Sequence, residues 1–151
     1  MTRSIHSETI DFLLANVCHL HRMRAHQLLE ALGLYQGQPL MLRELWQKEG
    51  LTQTEIAGRL SLAPATVTRM LQRMEKAGFI LRKSDPQDQR VSRVYLSENG
   101  RRVQVQVEAV WKTMEAETFA NLNLEERLLL GRLLQQIRQN LMEVTGEAAW
   151  A

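Results

Sequence analysis

The chain has 151 residues, of which 44% are hydrophobic and 24% charged, as expected for one globular domain or two small lobes that share a core. No apolar run approaches the ~20 residues that span a bilayer, and residues 1–7 lack the apolar core of a secretory signal. The single cysteine, Cys18, excludes an intrachain disulfide and a cysteine-based zinc cluster. We therefore expect a cytoplasmic protein without a membrane partner.

The basic residues are concentrated in the middle of the chain. Residues 51–96 carry eight Lys and Arg against four Asp and Glu, a net charge of +4. Residues 1–50 are neutral, and residues 97–151 carry a net charge of −2. A concentrated positive field favours a polyanionic partner, although a solvated helix face often carries as much charge.

Two helices are predicted before the basic segment. Apolar residues recur at three- and four-residue steps over residues 8–32, and Gly33 ends the pattern. Pro39 then suits the first position of a second helix, which ends at Gly50.

A helix-turn-helix is predicted next. Thr52 and Glu55 form a capping-box pattern at the start of a third helix. Pro64 begins a fourth helix, which Gly78 closes. Two short helices joined by about four residues bury both apolar faces only when they cross steeply, and Ala57 is small at the expected crossing.

The turn between these helices departs from the usual residues at two positions. Ser61 stands where such turns often have glycine, and Ala63 occupies the expected N-cap of the fourth helix, where Ser or Asp is favoured. An N-cap without a side-chain acceptor leaves the helix-end amides available to a phosphate.

A hairpin and two further helices complete the chain. Residues 79–83 and 91–96 read as strands around a turn at Asp85 and Pro86, and the long tip predicts a projecting wing. Residues 103–107 alternate as a strand would, but the longer helical pattern up to residue 119 prevails. Asn123 and Glu126 form a second capping-box pattern, which begins a last helix that is rich in leucine. The predicted fold class is mainly α with a small β-hairpin wing.

The fourth helix carries the candidate DNA-reading surface. One face is apolar, and the other presents arginines and short polar groups, which suit a major groove: Arg binds guanine bidentately, Gln binds adenine, and the Thr methyl packs on thymine. With two residues of the third helix's start, the candidates are Thr52, Gln53, Ala65, Thr66, Thr68, Arg69, Gln72 and Arg73. A solvated face is the alternative, but the capping box, the helix spacing and the hairpin together favour DNA.

Four segments, residues 51–57, 67–80, 85–90 and 95–100, resemble the MarR family of bacterial regulators, the multiple-antibiotic-resistance type. The resemblance implies a homodimer that binds double-stranded DNA. Residues 1–35 and 97–151 would form a helical dimerisation region, and residues 36–96 a winged helix-turn-helix domain.

The family pattern at the wing is an Asp and an Arg two residues apart, here Asp88 and Arg90. The resemblance implies that Arg90 enters the minor groove, whose negative potential attracts arginine. Asp88 has two possible roles, which are to position the wing by pairing with a nearby arginine or to cap the turn.

The resemblance further implies a repressor that binds a pseudo-palindromic operator and is released by a small aromatic or phenolic ligand. His21, Met41 and Trp46 are candidates for lining such a site, with core packing as the alternative for each. A redox-responsive repressor that uses Cys18 is a second hypothesis, although a buried structural cysteine is the favoured interpretation.

No catalytic constellation is present in the sequence. We therefore expect no enzyme activity, no cofactor and no metal site, since the only helix-compatible Cys/His pair lacks a carboxylate to complete it. A winged-helix module that binds another protein is the remaining alternative to a DNA-binding regulator.

Overall fold

The structure is a computed structural model that describes residues 9–146. Over this range the chain forms six helices and three short strands. The helices are α1 (Ile10–Glu30), α2 (Gln38–Gln47), α3 (Gln53–Leu60), α4 (Pro64–Lys76), α5 (Glu98–Thr118) and α6 (Leu124–Thr145). The strands are β1 (Leu51–Thr52), β2 (Ile80–Ser84) and β3 (Ser92–Leu96). The mainly helical fold with a hairpin wing is as predicted.

The sheet has one strand more than the sequence predicted. β3 lies between β1 and β2 and is antiparallel to both, with Leu51 opposite Val94 and Ile80 opposite Leu96. The Gly50 amide extends the first pairing by donating to the Val94 carbonyl at 2.8 Å. β1 has only two residues, too few for alternating hydrophobicity to show.

Both predicted capping boxes are confirmed. The Glu55 amide donates to Thr52 Oγ1 (3.2 Å), and the Thr52 amide donates to Glu55 Oε2 (2.7 Å). The same reciprocal pair joins Asn123 and Glu126 at 2.9 and 2.8 Å. The helical interpretation of residues 103–107 is also confirmed, because α5 runs through them without interruption.

The helix-turn-helix turn has the geometry that its two unusual residues suggested. Ser61 adopts the left-handed conformation, with φ of 50°, which is strained for a residue with a Cβ and explains why glycine is common there. The Leu62 amide closes the turn by donating to the Ala57 carbonyl at 3.0 Å. Ala63 is the N-cap of α4 and provides no side-chain acceptor.

The buried core lies within what we call the winged part of the chain, which comprises α2, α3, α4 and the three-stranded sheet. It is built by α2, α3, α4, the sheet and the first turns of α5. Its fully buried side chains include Met41, Leu42, Leu45, Leu51, Ile56, Val67, Leu71, Met74, Ile80, Val94 and Val107. α1 contributes one buried residue, Leu29, and α6 contributes none.

Exposed apolar side chains are concentrated on α1 and α6, which we call the helical arms. On α1 they are Ile10, Phe12, Leu13, Val17, Leu20 and Met23, and on α6 they are Leu124, Leu128, Leu129, Leu133, Leu134, Leu141 and Val144. Neither arm is long and apolar enough to span a bilayer, and the same holds for every other helix within residues 9–146.

The single cysteine lies on the exposed part of α1. Cys18 is exposed, so the prediction of a buried structural cysteine is wrong for the single chain. The physical reason is that α1 reaches the core only through its last turns, at Leu29 and the partly buried Ala25, whereas Cys18 lies two turns earlier.

Candidate nucleic-acid interface

α4 separates a buried face from an exposed one, as the sequence predicted. Val67, Leu71 and Met74 are fully buried and anchor the helix to the core. The opposite face is exposed and consists of Ala65, Arg69, Gln72, Arg73 and Lys76. Thr66 and Thr68 lie half-buried at its edges. The exposed face therefore carries every α4 candidate for DNA contact, at its centre or its edge.

The basic residues of the winged part divide into two groups. Of the eight basic residues in residues 51–96, three arginines are neutralised internally: Arg59 pairs with Glu44 (3.2 Å), Arg82 pairs with Glu75 (3.1 Å), and Arg93 pairs with Asp85. The other five make no ion pair with any side chain of residues 9–146, namely Arg69, Arg73, Lys76, Lys83 and Arg90. Lys83 lies over the Tyr95 ring on the sheet, and the remaining four lie on the outer face of α4 and at the wing tip, where they are available to an anion.

The wing is held by an ion pair that the sequence analysis did not assign. Arg93 Nε donates to Asp85 Oδ2, and Arg93 Nη1 donates to the Gly50 carbonyl at 2.8 Å. Asp85 Oδ1 also accepts from the Gln87 amide at 2.7 Å. These bonds lower the pKa of the Asp85 carboxyl, and the bond from Arg93 has the largest effect. Asp85 and Arg93 thus join the start of the wing turn to the edge of the sheet.

Asp88 has the second of its two predicted roles. Its Oδ1 accepts from the Arg90 amide at 3.0 Å, which caps the turn. The prediction that Asp88 pairs with an arginine is corrected, because that role belongs to Asp85. Asp85 follows the end of β2 and faces β3, whereas Asp88 lies at the exposed tip. The Arg90 side chain is exposed at the same tip.

A polar chain connects the start of α3 with α4 and the wing. Gln53 Nε2 donates to Thr68 Oγ1 at 2.9 Å, and Arg82 Nη1 donates to Gln53 Oε1 at 3.1 Å. Thr68 Oγ1 in turn donates to the carbonyl of Pro64 at 3.0 Å. Two predicted DNA-contact residues, Gln53 and Thr68, are therefore bonded to each other before any ligand arrives.

The predicted ligand-site residues do not meet in one crevice. Met41 is fully buried in the core, so its assignment to a ligand site is corrected to core packing. Trp46 donates its indole N–H to the Gly100 carbonyl at 2.9 Å, and His21 is exposed on α1. Across residues 9–146, no three His, Cys, Asp or Glu side chains are placed to share a metal ion.

A different cleft lies between the α1–α2 connection and the end of α4. It has a volume of about 310 Å³ and is lined by Gly33, Tyr35, Gln38, Arg73 and Ala77. The lining residues include the exposed Tyr35 and Arg73, which makes no ion pair within residues 9–146.

Comparison with known sequences identifies the relatives of this chain. A profile of the MarR family matches residues 34–92, from before α2 to the start of β3. YdgJ of Bacillus subtilis, an uncharacterized HTH-type transcriptional regulator, is 30% identical over 115 residues, which cover 74% of this chain and 68% of that protein. The HTH-type transcriptional repressor Rv2887 of Mycobacterium tuberculosis is 27% identical over 128 residues, which cover 85% and 92% of the two chains.

Solved structures of similar fold include two mutants of MepR from S. aureus. One superimposes with a TM-score of 0.76 at 27% identity, covering 88% of this chain and 98% of that chain. The other, bound to an oligodeoxyribonucleotide, gives a TM-score of 0.62 at 28% identity with the same coverage. The sequence relatives are regulators of transcription, not enzymes.

Proposed function

The chain belongs to the MarR family of transcriptional regulators, which bind DNA, and we propose that it represses transcription as a homodimer on a pseudo-palindromic operator. The observation that carries this proposal is the placement of the unpaired cations. Four of the five unpaired cations of residues 51–96 lie on the outer face of the second helix of a helix-turn-helix and at the tip of the wing, while the other arginines nearby are neutralised.

In this proposal α4 lies in the major groove. Arg69 is near the centre of the exposed face and reaches base edges, while Arg73 lies to its side, closer to the phosphates. Ala65, Thr66 and Gln72 border the same groove. Thr52 and Gln53, at the start of α3, face the DNA backbone, and the Ala65 amide at the uncapped start of α4 donates to a phosphate oxygen.

The wing supplies the minor-groove contact. Arg90 is exposed and unpaired, and Asp88 and Asp85 fix the backbone on which it stands. A narrow A·T-rich minor groove concentrates negative potential, which attracts a guanidinium. Because the turn is already ordered by hydrogen bonds, Arg90 binds with little additional loss of backbone entropy.

The homodimer is supported by the helical arms. Thirteen large apolar side chains of α1 and α6 are exposed in the single chain, and a concentration of exposed apolar side chains favours association. We propose that residues 1–35 and 97–151 pair with the same segments of a second chain, and that residues 36–96 form the DNA-binding domain. Cys18 lies among the α1 side chains that this pairing would cover, which argues against Cys18 as a peroxide sensor.

The test is a binding-site selection from random DNA duplexes, followed by affinity measurements over a range of salt concentrations. We expect a two-fold site whose half-sites are roughly 34–36 Å apart. Arg69→Ala should lower the affinity for the selected site more than for scrambled DNA, whereas Arg73→Ala should weaken both alike and flatten the salt dependence. Arg59→Ala is the matched control, because Arg59 is already paired with Glu44.

Two results would contradict the proposal. Equal losses on selected and scrambled DNA for Arg69→Ala would remove α4 from base recognition. If the chain shows no salt-dependent binding to DNA, the alternative in which the winged domain binds another protein would be favoured.

Repression and its release form the second part of the proposal. A relative of similar length is named a transcriptional repressor, and the cleft beside Arg73 can hold a small aromatic or phenolic anion. Since Arg73 is also a proposed phosphate contact, an anion bound there would compete with DNA for the same guanidinium.

Benzoate should therefore weaken operator binding by the wild type. Tyr35→Ala, which removes the exposed ring from the cleft, should bind DNA normally and lose the response, and an unchanged response would exclude this cleft.

A further inference from the structure

The polar chain that ends at Thr68 begins at Arg82 on the wing, which also pairs with Glu75 on α4. Arg82 is on β2 with its side chain 22% exposed, and its Nε is held by Glu75 at 3.1 Å. Its Nη1 bonds Gln53, which bonds Thr68. Arg82 is therefore neutralised and partly buried, so it is a poor candidate for direct contact with DNA.

Arg82 dictates the direction of the two hydrogen bonds that the Gln53 amide makes. A guanidinium can only donate, so the atom of the Gln53 amide that faces Arg82 must be the oxygen. The amide nitrogen then faces Thr68, whose hydroxyl must accept there. The single hydroxyl proton of Thr68 is directed to the Pro64 carbonyl, which can only accept. One lone pair of Thr68 Oγ1 then has no hydrogen-bond partner within residues 9–146.

We infer that Arg82 is a positioning residue for base recognition, because it fixes the hydroxyl of Thr68 as a hydrogen-bond acceptor toward DNA. This inference rests on the proposed function, in which α4 lies in the major groove. An outward lone pair accepts from the amino groups of adenine N6 or cytosine N4. It repels the carbonyl oxygens of guanine O6 and thymine O4, unless the hydroxyl proton leaves Pro64.

Removing Arg82 should relax this selection. Without the guanidinium, the Gln53 amide is free to rotate, and the Thr68 hydroxyl no longer has to accept from it. The hydroxyl proton can then turn outward, so that Thr68 either donates to or accepts from a base. A purely structural role for Arg82, by contrast, would lower stability or overall affinity and leave the base preference unchanged.

The test is the binding-site selection repeated with Arg82→Met, which keeps the aliphatic stem and removes the donors. We expect one position of each half-site to lose a preference for amino-bearing bases of roughly fivefold, while the other positions keep theirs. Thr68→Val should abolish the same preference, and Arg82→Met should have no further effect on it in the Thr68→Val background. Gln53→Leu breaks the chain while leaving the Arg82–Glu75 pair intact, and serves as the second variant if Arg82→Met folds poorly.

Arg93→Met is the matched control, since Arg93 is also a paired arginine of the wing but makes no bond to Gln53. It should change the affinity without changing the preference at the Thr68 position. An unaltered preference in both Arg82→Met and Gln53→Leu would overturn the inference and leave the proposed function standing. If the wild type selects no sequence at all, the proposed function fails, and the inference fails with it.

Discussion

The apolar side chains are buried in the winged part of the molecule and exposed on the helical arms. In the winged part, α2, α3, α4 and the sheet enclose a continuous core whose members are almost entirely removed from water. In the arms, the large apolar side chains of α1 and α6 are mostly exposed, and α6 buries none of its residues. The winged part is thus complete within one chain, while the arms are not.

This difference in burial indicates where a second chain would bind in the proposed homodimer. α1 is tied to α5 by Arg24, which donates to both oxygens of Glu117 at 2.7 and 2.8 Å. An exposed ion pair of this kind adds little stability, so it cannot compensate for leaving the apolar faces of both arms in water. In the proposed homodimer, burial against a second copy would supply the hydrophobic stabilisation that the arms lack in the single chain.

The largest expected effect comes from charging the arms. Leu134→Glu combined with Leu141→Glu places two carboxylates on one face of α6, where both leucines are exposed in the single chain. Light scattering should give a mass of twice the 17.4 kDa chain for the wild type and a single-chain mass for the variant. Operator affinity should fall by at least about 100-fold, because the two half-sites are no longer bound together.

The winged part provides the control for this comparison. Leu81→Glu charges a leucine of β2 that is 47% exposed, close to the exposure of the α6 leucines. It should leave the mass at twice that of the chain. A doubly substituted α6 that still dimerises would show that the arms are not the interface, and a monomeric wild type would refute the dimer altogether.

The next effect concerns the wing tip, where a single contact should matter for DNA and not for folding. Arg90→Ala should reduce operator affinity by roughly 30-fold or more, since the dimer loses two groove contacts. The dependence of affinity on salt should flatten as well, because two fewer cations displace counterions. Stability should change by no more than about 0.5 kcal/mol, as for most exposed side chains.

Gln89→Ala, at the neighbouring exposed position, is the control for Arg90→Ala. It should leave both affinity and melting temperature unchanged. If Arg90→Ala binds the operator as the wild type does, the wing has no part in DNA recognition. If it lowers the melting temperature, Arg90 belongs to the fold of the wing and not to its surface.

The sequence predicted local features well because their signals lie within a few residues. The Thr52–Glu55 capping box is a four-residue pattern, and the two faces of α4 follow from helical spacing. The sequence did not predict the Asp85–Arg93 pair, because that pair depends on the register of a hairpin. The family pattern indicated Asp88 instead as the partner of an arginine. The bond from Gln53 to Thr68 depends on how two helices cross, which spacing alone does not define.

Burial was predicted less well than secondary structure. The apolar pattern of α1 is the same whether its partner is its own core or a second chain, so it could not show that Cys18 is exposed. The sequence places Met41 on α2 but does not show how deeply its side chain is buried, so it could not exclude Met41 from a ligand crevice. Periodicity identifies an apolar face and leaves open what covers it.

A third prediction sharpens the boundary between the two regions, at the point where α5 leaves the winged core. A Cβ at Gly100 would overlap the carbonyl oxygen of Phe79, and that oxygen is part of the backbone and cannot move aside cheaply. Gly100→Ala should therefore lower the free energy of unfolding by about 1–3 kcal/mol. Gly58→Ala, in α3, has open space around the added methyl and should raise it by up to about 1 kcal/mol. Denaturant unfolding measures both, and a Gly100→Ala protein as stable as the wild type would show that α5 is not locked to the winged core.

The smallest effect is the pH dependence that Asp85 gives to the winged part. The pKa of Asp85 lies below its ordinary value of 3.8, because Arg93 and the Gln87 amide donate to its carboxylate. A carboxyl group with a lowered pKa in the folded state stabilises that state above pH 3.8, and this stabilisation is lost as the pH falls through the lowered value. Asp85→Asn removes the ion pair at every pH, so its melting temperature should fall less than that of the wild type between about pH 5 and pH 2. Asp88→Asn removes a carboxylate charge, makes no change to an ion pair and keeps an oxygen that can cap the turn, so it should follow the wild-type slope. Parallel curves for the wild type and Asp85→Asn would mean that the Asp85–Arg93 pair orders the wing without contributing measurably to stability.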